Sequence, residues 1–259
     1  MDTSLINAFW AAVITTLATG LGGLPFVFVR RFPTRLAHLA WAVAGGMMLA
    51  ASVFNLIYPG IEDGGFSIVA AGMLAGALIF GLASRRIAHH DFTISGVSGA
   101  GGNRIALVLG TMFFHSFPEG LAIGVAFGSG DASLGIIITI AIAIHNIPEG
   151  IAVSLPLRAE GVSGWKCVGW SIFSSLPQPI AVIPAYLAVV AFRPILPFSF
   201  GFAAGAMFFL VLSEKIPESL ASDVQRQTSA LAAMGGFIMM MLIQNLQKPA
   251  HMRTPELMR

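Results

Sequence analysis

The sequence has few charged residues. Asp, Glu, Lys and Arg make up 10% of its 259 residues, whereas a soluble domain carries about 25%. Hydrophobic residues account for 56% of the chain, and the mean hydropathy is +0.83. A water-soluble protein of this length cannot hide so much apolar surface in its core, so the composition indicates a polytopic membrane protein. No basic run suggests nucleic acid as a partner.

The sequence also has a single cysteine and no nucleotide-binding motif. Cys167 is the single cysteine, which excludes an internal disulfide framework and a Cys-x-x-Cys metal signature. No phosphate-binding motif is present, so this chain alone is not an ATP-driven pump. We expect no organic cofactor.

Eight hydrophobic segments approach the roughly 20 residues that cross the hydrocarbon core of a bilayer. They predict an all-α protein whose eight transmembrane helices form a single domain over residues 1–259. The longest connection, 84–104, has a Gly- and Ser-rich centre that is typical of a flexible loop. The segments cover approximately residues 5–29, 36–58, 66–83, 105–127, 134–157, 165–192, 198–212 and 231–246.

Basic residues in the connections predict the orientation, because Lys and Arg favour the cytoplasmic side. The connections after the first, third, fifth and seventh segments contain ten of the 14 basic residues. With eight segments, this places both termini outside the cytoplasm and makes 84–104 a cytoplasmic loop. The ten residues are Arg30, Arg31, Arg35, Arg85, Arg86, Arg104, Arg158, Lys166, Lys215 and Arg226.

The fourth and fifth segments carry the same motif, His-x-x-Pro-Glu-Gly, 30 residues apart. Within each motif the His and the Glu are four residues apart and share one helix face. Ionisable groups at membrane depth each cost at least about 2.5–3.5 kcal/mol on insertion scales, and a bound divalent cation compensates for them. The alternative is His–Glu pairing without a metal. We predict a principal metal site formed by His115, Glu119, His145 and Glu149.

A proline interrupts both motifs at the same position. Pro118 and Pro148 lack an N–H, so the carbonyls of Phe114 and Ile144 lose their helical partner. Irregular helix at membrane depth is tolerated where it lines a cavity or meets other protein. A matched irregularity beside both sets of ligands favours a transport site over a purely structural pair of helices.

Further polar or sulfur-containing residues are candidates for the ion pathway. Those of the second segment lie near Pro59, and those after the seventh segment suit either an ion-guiding mouth or a solvated helix end. Two histidines of the 84–104 loop suit either cation capture or an ordinary polar loop. These auxiliary candidates are Met47, Ser52, Asn55, Glu214, Glu218, His89 and His90.

The paired motif on helices four and five of eight resembles the ZIP (Zrt/Irt-like) metal transporters, and it is most similar to the bacterial GufA-like members. Residues 45–52 with 59–62 resemble the second helix of that family, and residues 201–207 resemble the seventh. The resemblance implies a ZIP-like bundle with helices four and five central, extracytoplasmic termini and a homodimer. It also implies a location in the plasma membrane of a bacterium, its inner membrane.

The resemblance also implies a second metal site beside the first, at the positions of Ser116, Asn146, Glu149 and Gln178. The family often has Asn where this chain has Ser116, and Glu where it has Gln178. A hydroxyl thus replaces an amide carbonyl, and a neutral amide replaces a carboxylate. We therefore expect the second site to be weak, transient or absent in this chain.

Together these features predict transport of divalent transition-metal cations into the cytoplasm, with zinc foremost and iron, manganese, cobalt and cadmium as further candidates. The metal is the substrate, and the protein is not expected to be an enzyme. Two alternatives stay open. An intramembrane metal-dependent hydrolase needs an open metal position and a general base, and no His-Glu-x-x-His is present. A proton or monovalent-cation carrier explains the carboxylates but gives the two histidines less to do.

Overall fold

The computed structural model describes residues 3–29, 33–87, 99–220 and 226–247. Within these ranges the chain is helical and contains no β-strand. The helices form eight spans. Span 1 is Thr3–Gly23 and Pro25–Phe28; span 2 is Thr34–Ser52, Val53–Ile57 and Tyr58–Gly64; span 3 is Phe66–Ile87; span 4 is Gly99–Gly128; span 5 is Ala132–Ala159; span 6 is Gly164–Ser174 and Pro177–Ala191; span 7 is Arg193–Ile195, Leu196–Leu210, Val211–Lys215 and Ile216–Ser219; span 8 is Arg226–Gln247.

The spans have the length and composition of membrane helices. Seven of them are long and apolar enough to cross a bilayer, and span 3 contains the shorter apolar helix Phe66–Leu82. Their outer faces carry large exposed apolar side chains, such as Trp10, Leu74 and Leu231. Exposed apolar surface on this scale is unfavourable in water and suits contact with lipid. The prediction of an all-α, multi-pass membrane protein is confirmed.

Two connections are shorter in the structure than in the sequence-based prediction. Span 3 continues to Ile87 and span 4 begins at Gly99, so helix covers both ends of the predicted 84–104 loop. Span 7 continues past residue 212 to Ser219. Lys215 therefore lies inside a helix and is fully buried, and counting it as a basic loop residue was wrong. Hydropathy alone ends a span at a charged residue, because it cannot detect a buried partner for the charge.

Spans 2 and 7 each contain one π-helical turn, Val53–Ile57 and Val211–Lys215. In both, a proline follows two residues after the turn, at Pro59 and Pro217. Proline has no N–H for the carbonyl four residues earlier and clashes with it. The wider turn accommodates this loss, and the N–H before each proline bonds the carbonyl five residues back.

The prolines act differently in spans 4, 5 and 6. Both His-x-x-Pro-Glu-Gly motifs lie in helices that continue through Pro118 and Pro148. Span 6 is interrupted at residues 175 and 176, and Pro177 begins its second helix. The break places Gln178 in the first turn of the second half.

Glycines allow close backbone contact between spans, and four pairs of spans pack together most extensively. A Cβ on Gly22 would overlap the carbonyl oxygen of Ile147, and a Cβ on Gly120 would overlap that of Gln178. Small residues allow such close backbone approach in a membrane. The pairs are span 1 with span 5 (Gly22, Gly150), span 4 with span 6 (Gly120, Gly124), span 3 with span 7 (Gly72, Gly201) and span 2 with span 8 (Gly46, Gly236).

The four pairs belong to two groups of four spans each. The first group, spans 1, 4, 5 and 6, carries both motifs, and the second group is spans 2, 3, 7 and 8. The groups meet where span 2 packs on span 5 and where span 7 packs on span 4. The motif residues of spans 4 and 5 therefore lie close to the boundary between the groups.

Close packing at Gly205 leads to a stability prediction. A Cβ at this position of span 7 would overlap backbone atoms of Met73 in span 3, whereas a Cβ on Gly235 of span 8 meets nothing within 4 Å. We expect Gly205→Ala to lower the melting temperature of the detergent-purified protein. Gly235→Ala, the control, keeps or raises it, because alanine favours helix by about 1 kcal/mol. Equal melting temperatures for the two variants would contradict the close pairing of spans 3 and 7.

Candidate metal centre

Three ionisable side chains meet in the interior of the bundle. Glu119 comes from span 4, and His145 and Glu149 come from consecutive turns of span 5. All three are fully buried, and one ligand atom from each lies within 4.8 Å of the others. One imidazole nitrogen and two carboxylate oxygens form a set of ligands for a borderline divalent cation.

The histidine and glutamate of different motifs pair across the two spans. His145 Nε2 lies 3.2 Å from Glu119 Oε1. The second oxygen of Glu119, Oε2, accepts a 2.5 Å hydrogen bond from Nε2 of Gln178 in span 6. Spans 4, 5 and 6 thus converge on one carboxylate, and the neutral amide of Gln178 occupies the position that faces it.

A lysine from span 7 completes the cluster. The Nζ atom of Lys215 contacts Oε1 of Glu149 in a fully buried ion pair, and it lies 5.5 Å from the ring centroid of Trp41, at cation–π distance. Neither Lys215 nor Trp41 is among the site residues predicted from the sequence. The signal in the sequence is a lysine between an apolar run and Pro217. It indicates a buried charge only when the π turn is known.

Two buried oxygen atoms of span 5, one in the cluster and one on the residue after His145, have no hydrogen-bond partner among the described residues. They are Oε2 of Glu149 and Oδ1 of Asn146. Buried acceptors are normally satisfied, and an orphaned one requires an explanation. A cation that binds beside Glu149 would use oxygen atoms of this kind, so the donor set of the centre fits a divalent metal substrate.

The structure brings three of the four predicted principal residues together. His115 is buried in span 4, one helical turn before Glu119. It is not a member of the group whose ligand atoms lie within 4.8 Å of one another. Its role as a ligand stays a prediction.

The residues of the predicted second site bond to protein groups. The hydroxyl of Ser116 donates to the carbonyl oxygens of Met112 and Ser174, at 3.1 and 3.0 Å. Nδ2 of Asn146 lies 3.5 Å from Oε1 of Gln178. The side chains of Ser116, Asn146 and Gln178 are fully buried, and their hydrogen bonds hold them around the centre.

Span 1 supports the centre through threonines that the sequence analysis did not select. The hydroxyl of Thr15 donates to Oε1 of Gln178 at 2.5 Å. The backbone carbonyl of Thr15 accepts from Nδ2 of Asn146 at 2.8 Å. Thr15 is buried together with Thr16 and Thr19. Residues 15–19 of this apolar segment contain three threonines. An inference from hydropathy alone overlooks this signal.

The pathway candidates of span 2 are buried. The hydroxyl of Ser52 donates to the carbonyl of Met48 and lies 3.7 Å from the sulfur of Met207. Nδ2 of Asn55 has no hydrogen-bond partner among the described residues, and Asn55 lines a small cavity that also touches Met207. Met47 packs in an apolar cluster at the contact between spans 2, 5 and 8.

The remaining pathway candidates lie in the C-terminal part of span 7 or outside the described residues. Glu214 is in the π turn of span 7, and Glu218 is in the last helix of that span. His89 and His90 lie outside the described residues. The roles of all four stay predictions.

The hydrogen bond from Thr15 gives a stability prediction. Thr15→Val keeps the shape of the side chain but leaves Oε1 of Gln178 buried without this donor, which costs about 1–3 kcal/mol. We expect a lower melting temperature in detergent. Thr139 in span 5 is the control, because among the described residues its hydroxyl bonds only to the carbonyl of Gly135 in its own helix. A Thr139→Val variant that loses as much stability as Thr15→Val would contradict the bridging role of Thr15.

Comparison with known proteins gives a consistent result. The family description "ZIP Zinc transporter" matches residues 88–244. Zinc transporter ZIPB of Bordetella bronchiseptica is 37% identical over 87% of this chain and 76% of that protein. Zinc transporter GufA of Myxococcus xanthus is 30% identical over 90% of this chain and 96% of that protein.

A third relative, from Arabidopsis thaliana, is 43% identical over 83% of this chain, and the chain spans 35% of the length of that protein. The family match covers more than half of the chain, and the matches to ZIPB and GufA cover most of both partners. The resemblance drawn from the paired motif is confirmed. The chain belongs to the ZIP zinc transporter family.

Proposed function

We propose that this protein carries divalent transition-metal cations, with zinc foremost, into the cytoplasm through the buried centre on spans 4 and 5. The observation that carries the proposal is the group of Glu119, His145 and Glu149, whose ligand atoms approach within 4.8 Å inside a membrane-spanning bundle. Membership of the ZIP zinc transporter family supports divalent metal transport.

The chemistry of the centre suits a metal that binds and leaves. Zinc takes nitrogen and oxygen ligands at about 2.0–2.2 Å, so ligand atoms up to 4.8 Å apart need only a modest contraction around the ion. Glu119 and Glu149 supply negative charge, and His145 supplies a neutral nitrogen. We include His115 as a further ligand, one turn from Glu119. Iron, manganese, cobalt and cadmium are compatible with the same ligand types.

In our proposal the metal centre is lined by Ser116, Asn146 and Gln178, which do not bind a second ion. Their hydrogen bonds go to backbone carbonyls, to Glu119 and to one another. The proposal retains both termini outside the cytoplasm, a bacterial inner membrane and a homodimer, which rest on the positions of the basic residues and on the family resemblance.

Neither alternative function is favoured. A metal-dependent hydrolase needs a position for water on the metal and a general base beyond the ligands, and the relatives compared above are named as transporters. A proton or monovalent-cation carrier accounts for the buried carboxylates, but the relatives compared above are named as zinc transporters.

Removal of one carboxylate tests the proposal. In Glu149→Ala the centre loses a ligand and the partner of Lys215, so we expect zinc uptake into proteoliposomes to fall to the level of protein-free liposomes. Uptake is measured as the initial rate with a zinc-sensitive dye enclosed in the vesicles.

The matched control is Glu160→Ala, at the end of the same span and away from the centre. It should keep the rate of the unchanged protein. Normal uptake by Glu149→Ala at equal reconstitution would refute the assignment of the centre as the transport site.

A further inference from the structure

Lys215 is a cation that the protein itself places in the metal centre. Its side chain is fully buried, and its Nζ atom contacts Oε1 of Glu149. An unpaired charge buried away from water is strongly unfavourable, and Glu149 is the described carboxylate that pairs with this ammonium. The ammonium therefore occupies one side of a proposed metal ligand.

The local structure of span 7 directs this side chain toward span 5. Lys215 is the last residue of the π turn Val211–Lys215, and a turn of this kind changes the direction of the residues that follow its extra residue. Gly45 of span 2 faces the Cβ atom of Lys215 without a side chain of its own, and Trp41 of the same span lies beside the ammonium. The side chain of Lys215 thus extends beside span 2 to Glu149 of span 5.

The charges of the centre leave room for one divalent ion beside this lysine. Glu119 and Glu149 contribute two negative charges, Lys215 contributes one positive charge, and Gln178 contributes none. A first divalent ion over-compensates the remaining negative charge. A second divalent ion would be repelled both by the first ion and by the ammonium, since like charges within a few ångströms in a low-dielectric interior interact strongly.

We propose that Lys215 is a tethered cation that takes the place of a second metal ion and competes with the transported ion for Glu149. The inference rests on the proposed function. In the absence of metal the ammonium neutralises Glu149. The entering ion displaces the ammonium from Oε1 but leaves it beside the centre, where it repels a second ion, and the ammonium returns to Oε1 when the ion leaves. Lys215 belongs to the second group of spans and Glu149 to the first, so binding of the ion exchanges a contact between the groups for contacts within the first group.

The experiment measures Cd²⁺ binding to the purified protein by equilibrium dialysis and elemental analysis, over a range of free Cd²⁺. The unchanged chain should bind one Cd²⁺. Lys215→Met has similar volume and no charge, so it should bind the first ion at least tenfold more tightly and take up a second ion at high Cd²⁺. Lys215→Arg keeps the charge and should retain one ion per chain.

Three results would overturn the proposal: two Cd²⁺ ions in the unchanged chain, Lys215→Met with unchanged affinity and stoichiometry, or a second ion in Lys215→Arg. The first of these needs no variant, so the proposal stays falsifiable even if Lys215→Met does not fold. No Cd²⁺ binding by the unchanged chain would refute the proposed function as well. One ion in every variant, with zinc uptake intact, would refute only the role of Lys215.

Transport kinetics separate competition from structural damage. If Lys215 competes with the ion, Lys215→Met should lower the KM for zinc uptake and also the maximal rate, because a more tightly held ion leaves more slowly. A merely destabilised protein would lose maximal rate with KM unchanged. That second pattern would contradict competition by the ammonium.

Discussion

Charge placed between membrane-spanning helices must be balanced by nearby groups, since lipid cannot solvate it. The interior of this bundle holds Glu119, His145, Glu149 and Lys215, all fully buried. Their arrangement follows from this constraint: the imidazole faces Glu119, the ammonium contacts Glu149, and the amide of Gln178 donates to the second oxygen of Glu119. A divalent ion balances the buried carboxylates with fewer protein groups. This set of residues therefore suits a substrate that binds and is then released.

The rest of the fold serves to bring these groups to one place. Glycine contacts join span 1 to span 5 and span 4 to span 6, so the two motif helices are held through their neighbours. The break before Pro177 turns the amide of Gln178 toward Glu119, and Thr15 fixes the other end of that amide. The π turn of span 7 carries a charged residue from the opposite group of spans into the same cluster.

The sequence was sufficient to predict the eight helices and their paired motif, because composition and repeated spacing are local properties of the chain. It did not reveal that His145 faces Glu119 of the other motif, since pairing across two spans depends on their packing. Lys215 was misplaced for the same reason: a charged residue after an apolar run reads as a loop until its buried partner, Glu149, is known. The support from Thr15 was missed because threonine is common in membrane helices and its partner lies 163 residues away.

The central claim is that the carboxylates of two motif helices, with an imidazole between them, bind the transported ion. Diffraction from crystals soaked in Cd²⁺, recorded for anomalous scattering, tests this most directly. The account predicts a strong anomalous peak within ligand distance of Glu119, His145 and Glu149. A peak confined to other parts of the molecule, with these three side chains unliganded at saturating Cd²⁺, would contradict it.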